Sequence, residues 1–249
     1  MNTRYESPDT QTLANTLQLE RVVADLGRMY HERNQALEEV TRAHHEALLQ
    51  LSLAAEYRDN DTGVHIVRIG FLAKALALCL GKDETYACML GRAAPMHDVG
   101  KIATPDAVLK KPGPLTEQER EVMKRHTTDG ARILGRSQIP LFRLAAETAL
   151  SHHERWDGAG YPAGLAGDAI PLSGRIVAVV DYFDALTMDR VYRPAFSAEV
   201  SLNMLKEQRG KAFDPLIVDT FLANFPMLYE LHQYVTHNRP ALEELVHPC

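Results

Sequence analysis

Apolar positions along the first fifty residues recur every three or four places. Leu19, Val22, Leu26, Met29, Arg33, Ala36 and Val40 mark one stripe, with Glu20, Arg21, Glu38 and Glu39 outside it. That spacing predicts a long helix from Leu13 to about Leu53 and gives it the seam of a coiled coil, weakened at Arg33 and Ala36. An amphipathic helix lying on its own domain would carry the same stripe. Beyond Ala54 the period stays helical. Helices are expected over Asp61–Leu80, with Gly81 as C-terminal cap, and over Asp83–His97, with Pro95 bending or ending the second. Thr116 and Glu119 form a capping box for a helix reaching about Leu134. Leu141–His153, Arg175 to about Arg190, Ala198–Arg209 and Pro215 to about Phe225 complete the set, the last starting at an Asp214 N-cap. Between Arg155 and Gly174 five glycines and two prolines predict a loop. No alternating strand pattern and no internal repeat occurs, so the fold class is all-α. The organisation expected is an N-terminal helical segment, residues 1–53, followed by one domain, residues 54–249.

Composition narrows the function. The 249 residues are 45% hydrophobic and carry a net charge of -6. That balance argues against a general nucleic-acid-binding surface. An anionic substrate would need a locally positive site, which metal ions could supply. The most apolar stretch, Phe71–Leu80, is too short to span a membrane and holds Lys74. Nothing reads as a signal peptide. Cys79, Cys88 and Cys249 fit no zinc spacing, and reduced thiols in a cytoplasmic protein are expected, with Cys79 and Cys88 in the core.

Eleven histidines are the unusual feature, several beside aspartates. His97-Asp98 could bind one metal and bridge to a second. His152-His153 could share one site only if that site is large, because adjacent helical residues point about 100° apart. His44-His45 lies in the charged N-terminal helix and reads as solvated surface. Asp181 follows the apolar run Ile176–Val180, where a carboxylate is costly unless paired or metal-bound. His65 and His126 lie in helices, and Asp61 stands four residues before His65 on the same face. Singly, each signal has an ordinary structural reading. Together they offer nitrogen and oxygen ligands from five helices and no thiolate, a set that suits iron, manganese, zinc or nickel. Closely spaced metals clamp phosphate oxygens and generate a hydroxide for in-line attack.

The chain resembles the HD-GYP family. The resemblance rests on His97-Asp98 with Lys101, on His126, and on the run His152-His153-Glu154-Arg155-Trp156-Asp157-Gly158-Ala159-Gly160-Tyr161-Pro162. It continues through Asp181-Tyr182-Phe183-Asp184-Ala185-Leu186-Thr187 and Phe213-Asp214-Pro215, covering roughly residues 52–225. It implies a helical HD-type domain, two or three divalent ions, and hydrolysis of cyclic-di-GMP to pGpG, GMP or both. It implies that His65, His97, Asp98, His126, His152, His153 and Asp181 bind metal, with Asp98 bridging two ions and Lys101 beside the bridging water or scissile phosphate. Tyr161 would contact the nucleotide, and Arg190 and Arg193 would hold its phosphates. The family often has Glu where Asp61 stands, so the third ion's place at Asp61 is in doubt. Val191 stands where the family often has proline. Members often follow a receiver domain through a helical linker, which the N-terminal helix resembles. A homodimer through that helix is expected. Competing classes are a cyclic-dinucleotide-binding module with little turnover, an HD phosphohydrolase acting on another nucleotide, and a dimeric scaffold.

Overall fold

The computed structural model describes residues 8–58, 63–189 and 194–245. Among them the helices are α1 (Pro8–Arg58), α2 (Val64–Cys79), α3 (Glu84–Ala93), α4 (Asp106–Leu109), α5 (Glu117–Leu134), α6 (Pro140–Ser151), α7 (Leu172–Thr187), α8 (Ala198–Glu207), α9 (Pro215–Ala223) and α10 (Phe225–Asn238). No strand occurs among the described residues beyond an isolated bridge between Arg209 and Phe213. The chain divides into two compact units, one ending at His45 and the other starting at Glu46. In the first unit the stripe residues stand open in the single chain: Leu19, Val22, Leu26, Met29 and Val40 are all exposed.

The second unit is built around α7. Its run Ile176, Val177, Val179, Val180 and Phe183 is fully buried, each side chain contributing roughly 1.5–3 kcal/mol by leaving water. Helices α2, α6, α8 and α9 pack against α7, and α3 and α10 pack against α2. Leu49, at the C-terminal part of α1, joins Met96, Val99, Leu134, Phe142 and Ala145 in a second core cluster.

Local chemistry sets the helix ends. In α5 the Thr116 hydroxyl accepts from the Glu119 amide, and the Glu119 carboxylate accepts from the Thr116 amide at 2.7 Å, which is the expected capping box. Asp83, Ser197 and Asp214 cap α3, α8 and α9. Gly81, at φ 73°, ends α2 in a left-handed turn in which the Gly81 and Lys82 amides donate to the Leu78 and Ala77 carbonyls. Pro95 turns the end of the α3 run into a 3-10 segment, Ala94–Met96.

Several expectations need correction. Helix α1 begins before Leu13 and continues to Arg58. Helix α6 ends at Ser151, so His152 and His153 lie in the turn after it and not within a helix. Helix α7 starts at Leu172, three residues earlier than Arg175, and ends at Thr187. The chain does not stop being helical near Phe225: a new helix begins there, with Pro226 among its first residues. His45 is fully buried and is not solvated surface, whereas His44 is exposed. Cys88 is buried as expected, while Cys79 is a half-buried free thiol and not in the core.

Candidate metal centre

Five parts of the chain deliver the histidines and aspartates to one place. His65 comes from the first turn of α2, and His97 and Asp98 from the bend between two 3-10 segments. His126 comes from the middle of α5, His152 and His153 from the turn after α6, and Asp181 from α7. The bend is held against its neighbours by two devices. Arg58, at the end of α1, donates to the Ile102 carbonyl (2.6 Å), the Thr104 carbonyl (2.9 Å) and Asp106 (2.6 Å). Gly100 lies against the α5 backbone so closely that an added Cβ would sit 1.9 Å from the His126 carbonyl oxygen. Only glycine fits there.

Two donor groups result. One is Asp98, His126, His152 and His153; the other is His65, His97 and Asp181; within each, ligand atoms lie within 4.8 Å of one another. Asp98 stands between them. Its Oδ1 is 3.2 Å from His126 Nε2 and 3.6 Å from His152 Nε2. Its Oδ2 is 3.4 Å from His97 Nε2 and 2.9 Å from Lys101 Nζ. Asp181 Oδ1 lies 3.5 Å from His65 Nε2 and 4.0 Å from His97 Nε2, within the second group.

The tautomers follow from the second nitrogen of each ring. Nδ1 of His97 contacts the Ala94 carbonyl at 2.9 Å, Nδ1 of His126 the Met123 carbonyl at 2.7 Å, and Nδ1 of His152 the Ala149 carbonyl at 3.0 Å. A carbonyl can only accept, so each Nδ1 donates and each ring turns its Nε2 inward. His126 Nε2 and His152 Nε2 then face each other at 3.4 Å. Nε2 of His97 and Oδ1 of Asp98 are buried with no hydrogen-bond partner among the described residues. Convergent ring nitrogens and carboxylate oxygens left unsatisfied at the centre of a fold are costly without a cation. The donor set fits divalent metal ions.

Electrostatics divide the groups. Burial lowers the proton affinity of His65, yet its hydrogen bond to Asp184 and the charges of Asp184, Glu56 and Asp181 outweigh that and hold its pKa up at about 10. His97 is also raised, against the effect of its burial, chiefly by Asp98. In the other group burial pushes His126 down to about 4, and burial with the neighbouring imidazoles of His152 and His126 pushes His153 well below the usual range. Burial would raise the Asp98 carboxyl, but Lys101 and His97 keep it well below the carboxylate range and therefore charged. His65 thus holds a proton where a cation would sit, while His126 and His153 present neutral imidazoles beside the Asp98 carboxylate.

Beside the centre, the loop after α6 is anchored by Glu154. Its buried carboxylate accepts from the Ala163 amide (2.7 Å) and the Leu165 amide (2.9 Å). The Tyr161 amide donates to the His153 carbonyl at 3.2 Å, and the bond from Tyr161 to Pro162 is cis. The Tyr161 ring lies 4.9 Å from that of His153, with Lys124 Nζ 5.7 Å from the Tyr161 centroid. Seven expected ligand residues and Lys101 and Tyr161 are therefore brought together. Asp61, Arg190 and Arg193 lie outside the described residues.

Asp181, expected as the buried carboxylate of α7, keeps 24% of its side chain exposed, and the fully buried one is Asp184. Asp184 Oδ2 accepts from His65 Nδ1 at 2.6 Å and from Arg68 Nη2 at 2.9 Å. Its Oδ1 accepts from Arg68 Nε and, at 3.1 Å, from His232 Nε2. Asp184, Arg68, Glu154 and His232 were not marked by residue type alone. For Asp184 the available signal is its place one helical turn after Asp181 on the same apolar helix.

Comparison with known proteins agrees with this geometry. The HD domain family model matches residues 20–217. The chain belongs to the HD domain family. A Thermotoga maritima protein named cyclic di-GMP phosphodiesterase is 47% identical over 177 residues, 71% of this chain and 48% of its own length. A Xanthomonas campestris protein named cyclic di-GMP phosphodiesterase response regulator RpfG is 46% identical, covering 79% of this chain and 52% of its own. The chain thus spans about half the length of these relatives of the HD domain family. The crystal structure of a Vibrio cholerae cyclic GMP-AMP-specific phosphodiesterase aligns with a TM-score of 0.58 at 21% identity, over 82% of this chain and 55% of that one, which shows the shared all-α fold. No described helix is long and apolar enough to cross a membrane.

Proposed function

We propose that this chain is a metal-dependent phosphodiesterase that hydrolyses cyclic-di-GMP to pGpG, GMP or both. The observation that carries the reading is the inward set of Nε2 atoms around Asp98, whose two oxygens serve the two donor groups. The relatives' names supply the substrate class. Asp98 with His126, His152 and His153 would hold one ion and His65, His97 and Asp181 a second, with Asp98 bridging; iron or manganese suits them best, nickel or zinc next. Asp61 would bear on a third. Such ions supply Lewis-acid polarisation of the phosphate and lower the pKa of water.

The remaining work falls to the chain's own groups. Lys101 Nζ, 2.9 Å from Asp98, is a fixed positive charge at the edge of the centre, placed to draw a non-bridging phosphate oxygen toward it. Asp98 stays charged because Lys101 and His97 flank it, so it holds position without taking up a proton at neutral pH. Tyr161 offers a ring face to a guanine base, and its hydroxyl stays protonated because burial raises its pKa far above neutrality. Arg190 and Arg193 would pair with the phosphates as bidentate donors. The molecule would act as a homodimer paired through the 13–53 segment, whose exposed apolar stripe needs a partner.

The test is turnover of metal-loaded protein with cyclic-di-GMP, 3'3'-cyclic GMP-AMP and cyclic-di-AMP side by side, products resolved by chromatography. Linear guanine products from cyclic-di-GMP are expected. Tight binding of that nucleotide with no product would reduce the chain to a binding module.

A further inference from the structure

Helix α10 lies wholly beyond residue 217, where the match to the family ends. Its apolar face, Leu228 and Val235, is buried, and the same face carries His232, only 2% exposed. A histidine on an apolar stripe often only fills space. Here its partners say more. His232 Nε2 is 3.1 Å from Asp184 Oδ1 and 3.2 Å from Thr187 Oγ1. The Thr187 hydroxyl already points its hydrogen at the Phe183 and Asp184 carbonyls. Asp184, charged and held far below the usual range against its own burial by His232, His65 and Arg68, can only accept. Both groups facing Nε2 are therefore acceptors, so Nε2 carries the proton and donates to them. The ring is fixed from its sides by Tyr229, stacked 6.1 Å away at 6°, and by the edge of Phe183 at 5.8 Å.

Arg68 donates to both oxygens of Asp184; beside it, one oxygen is tied to α10 through His232 and the other holds His65 Nδ1 at 2.6 Å. His65 in turn aims Nε2 at Asp181, beside His97. The path His232 to Asp184 to His65 runs through directed hydrogen bonds between buried groups, from the C-terminal helix to one donor group. Among the described residues no such path leads to the other group, where the Nδ1 contacts of His126 (Met123 carbonyl) and His152 (Thr148 and Ala149 carbonyls) are with their own local backbone.

We propose that His232 is a positioning residue for the His65/His97/Asp181 site, making α10 a selective support for one of two metal sites. This rests on the reading of the centre as binuclear. Outer partners of ligating histidines typically change metal affinity about ten- to a hundredfold when lost.

The experiment titrates full-length metal-free protein with Co2+, following its visible absorption, with bound metal counted by elemental analysis. Wild type should take up two ions in separable steps. His232→Ala should weaken one step by about tenfold or more and leave the other unchanged. His232→Gln, which can still donate to Asp184, should recover most of that loss. Val235→Ala, which loosens α10 without touching Asp184, should lower the melting temperature and leave both steps as in wild type. If His232→Ala leaves both steps alone, weakens both equally, or is matched by Val235→Ala, the proposal is overturned. If His232→Ala does not fold, the Gln variant decides: a selective defect smaller than tenfold supports the role, and equal loss at both steps refutes it. Failure to hydrolyse cyclic-di-GMP with both Co2+ steps intact would count against the proposed function and not against His232.

Discussion

Asp184→Asn is nearly isosteric, and its cost can be worked from the contacts. The carboxylate accepts four N–H groups: Arg68 Nε and His232 Nε2 on one oxygen, Arg68 Nη2 and His65 Nδ1 on the other. An amide keeps one oxygen. Whichever way it flips, its NH2 faces two donors, one always from Arg68. Arg68 is 1% exposed, so its charge loses its pairing in a dry place. Breaking a buried pair from one side costs about 3–5 kcal/mol, which exceeds the about 1–3 kcal/mol expected for an unmet neutral donor. Against a total stability of roughly 5–15 kcal/mol this is a large fraction. Urea unfolding of metal-free protein, with a slope of about 2 kcal/mol/M, should show the midpoint falling by about 2 M. A loss under about 1 kcal/mol at unchanged slope would refute the view that Asp184 anchors this cluster as a charged group.

Three other outcomes are expected. His65 is raised to about 10, so its pairing contributes stability to metal-free protein fully below its unfolded value of about 6.5, and that contribution is lost as pH rises toward 10; a divalent ion added at pH 7 should therefore expel a proton, seen calorimetrically as a binding heat that depends on the buffer's ionisation enthalpy. Arg190→Ala and Arg193→Ala should each weaken cyclic-di-GMP binding about ten- to a hundredfold, the worth of one charge-assisted hydrogen bond, with metal content unchanged. Light scattering should find a dimer at micromolar concentration, and Val22→Glu with Leu26→Glu a monomer; a monomeric wild type would remove the paired-helix reading of the exposed stripe.

Much of the architecture was legible because local rules decided it. The Thr116–Glu119 box, the Asp214-Pro215 start and the Gly81 stop each act within one helical turn and appear where expected. The candidate donor set was legible from the density of His and Asp and from the family resemblance, and the folded chain brings His65, His97, Asp98, His126, His152, His153 and Asp181 together. Long-range chemistry was not. Asp184 and His232 are 48 residues apart and acquire meaning only when α10 packs beside α2. Asp181 and Asp184 look alike in the sequence, and the fold alone determines which is fully buried. His45 was read as surface because its neighbours are charged, and burial at one position of a helix face is invisible to composition. The long helix α1 was legible as a helix, and its apolar stripe stands exposed in the single chain.

The most direct test joins the metal centre to the chemistry in one sample series. Wild type and Asp98→Ala are stripped of metal, reloaded anaerobically with iron(II) or manganese(II), counted by elemental analysis and mixed with cyclic-di-GMP. Because both Asp98 oxygens face ligand groups, on opposite sides, wild type should retain about two ions per chain and release linear guanine product, and Asp98→Ala should lose most metal and all turnover together. Full turnover by the stripped protein, or by Asp98→Ala, would contradict the account.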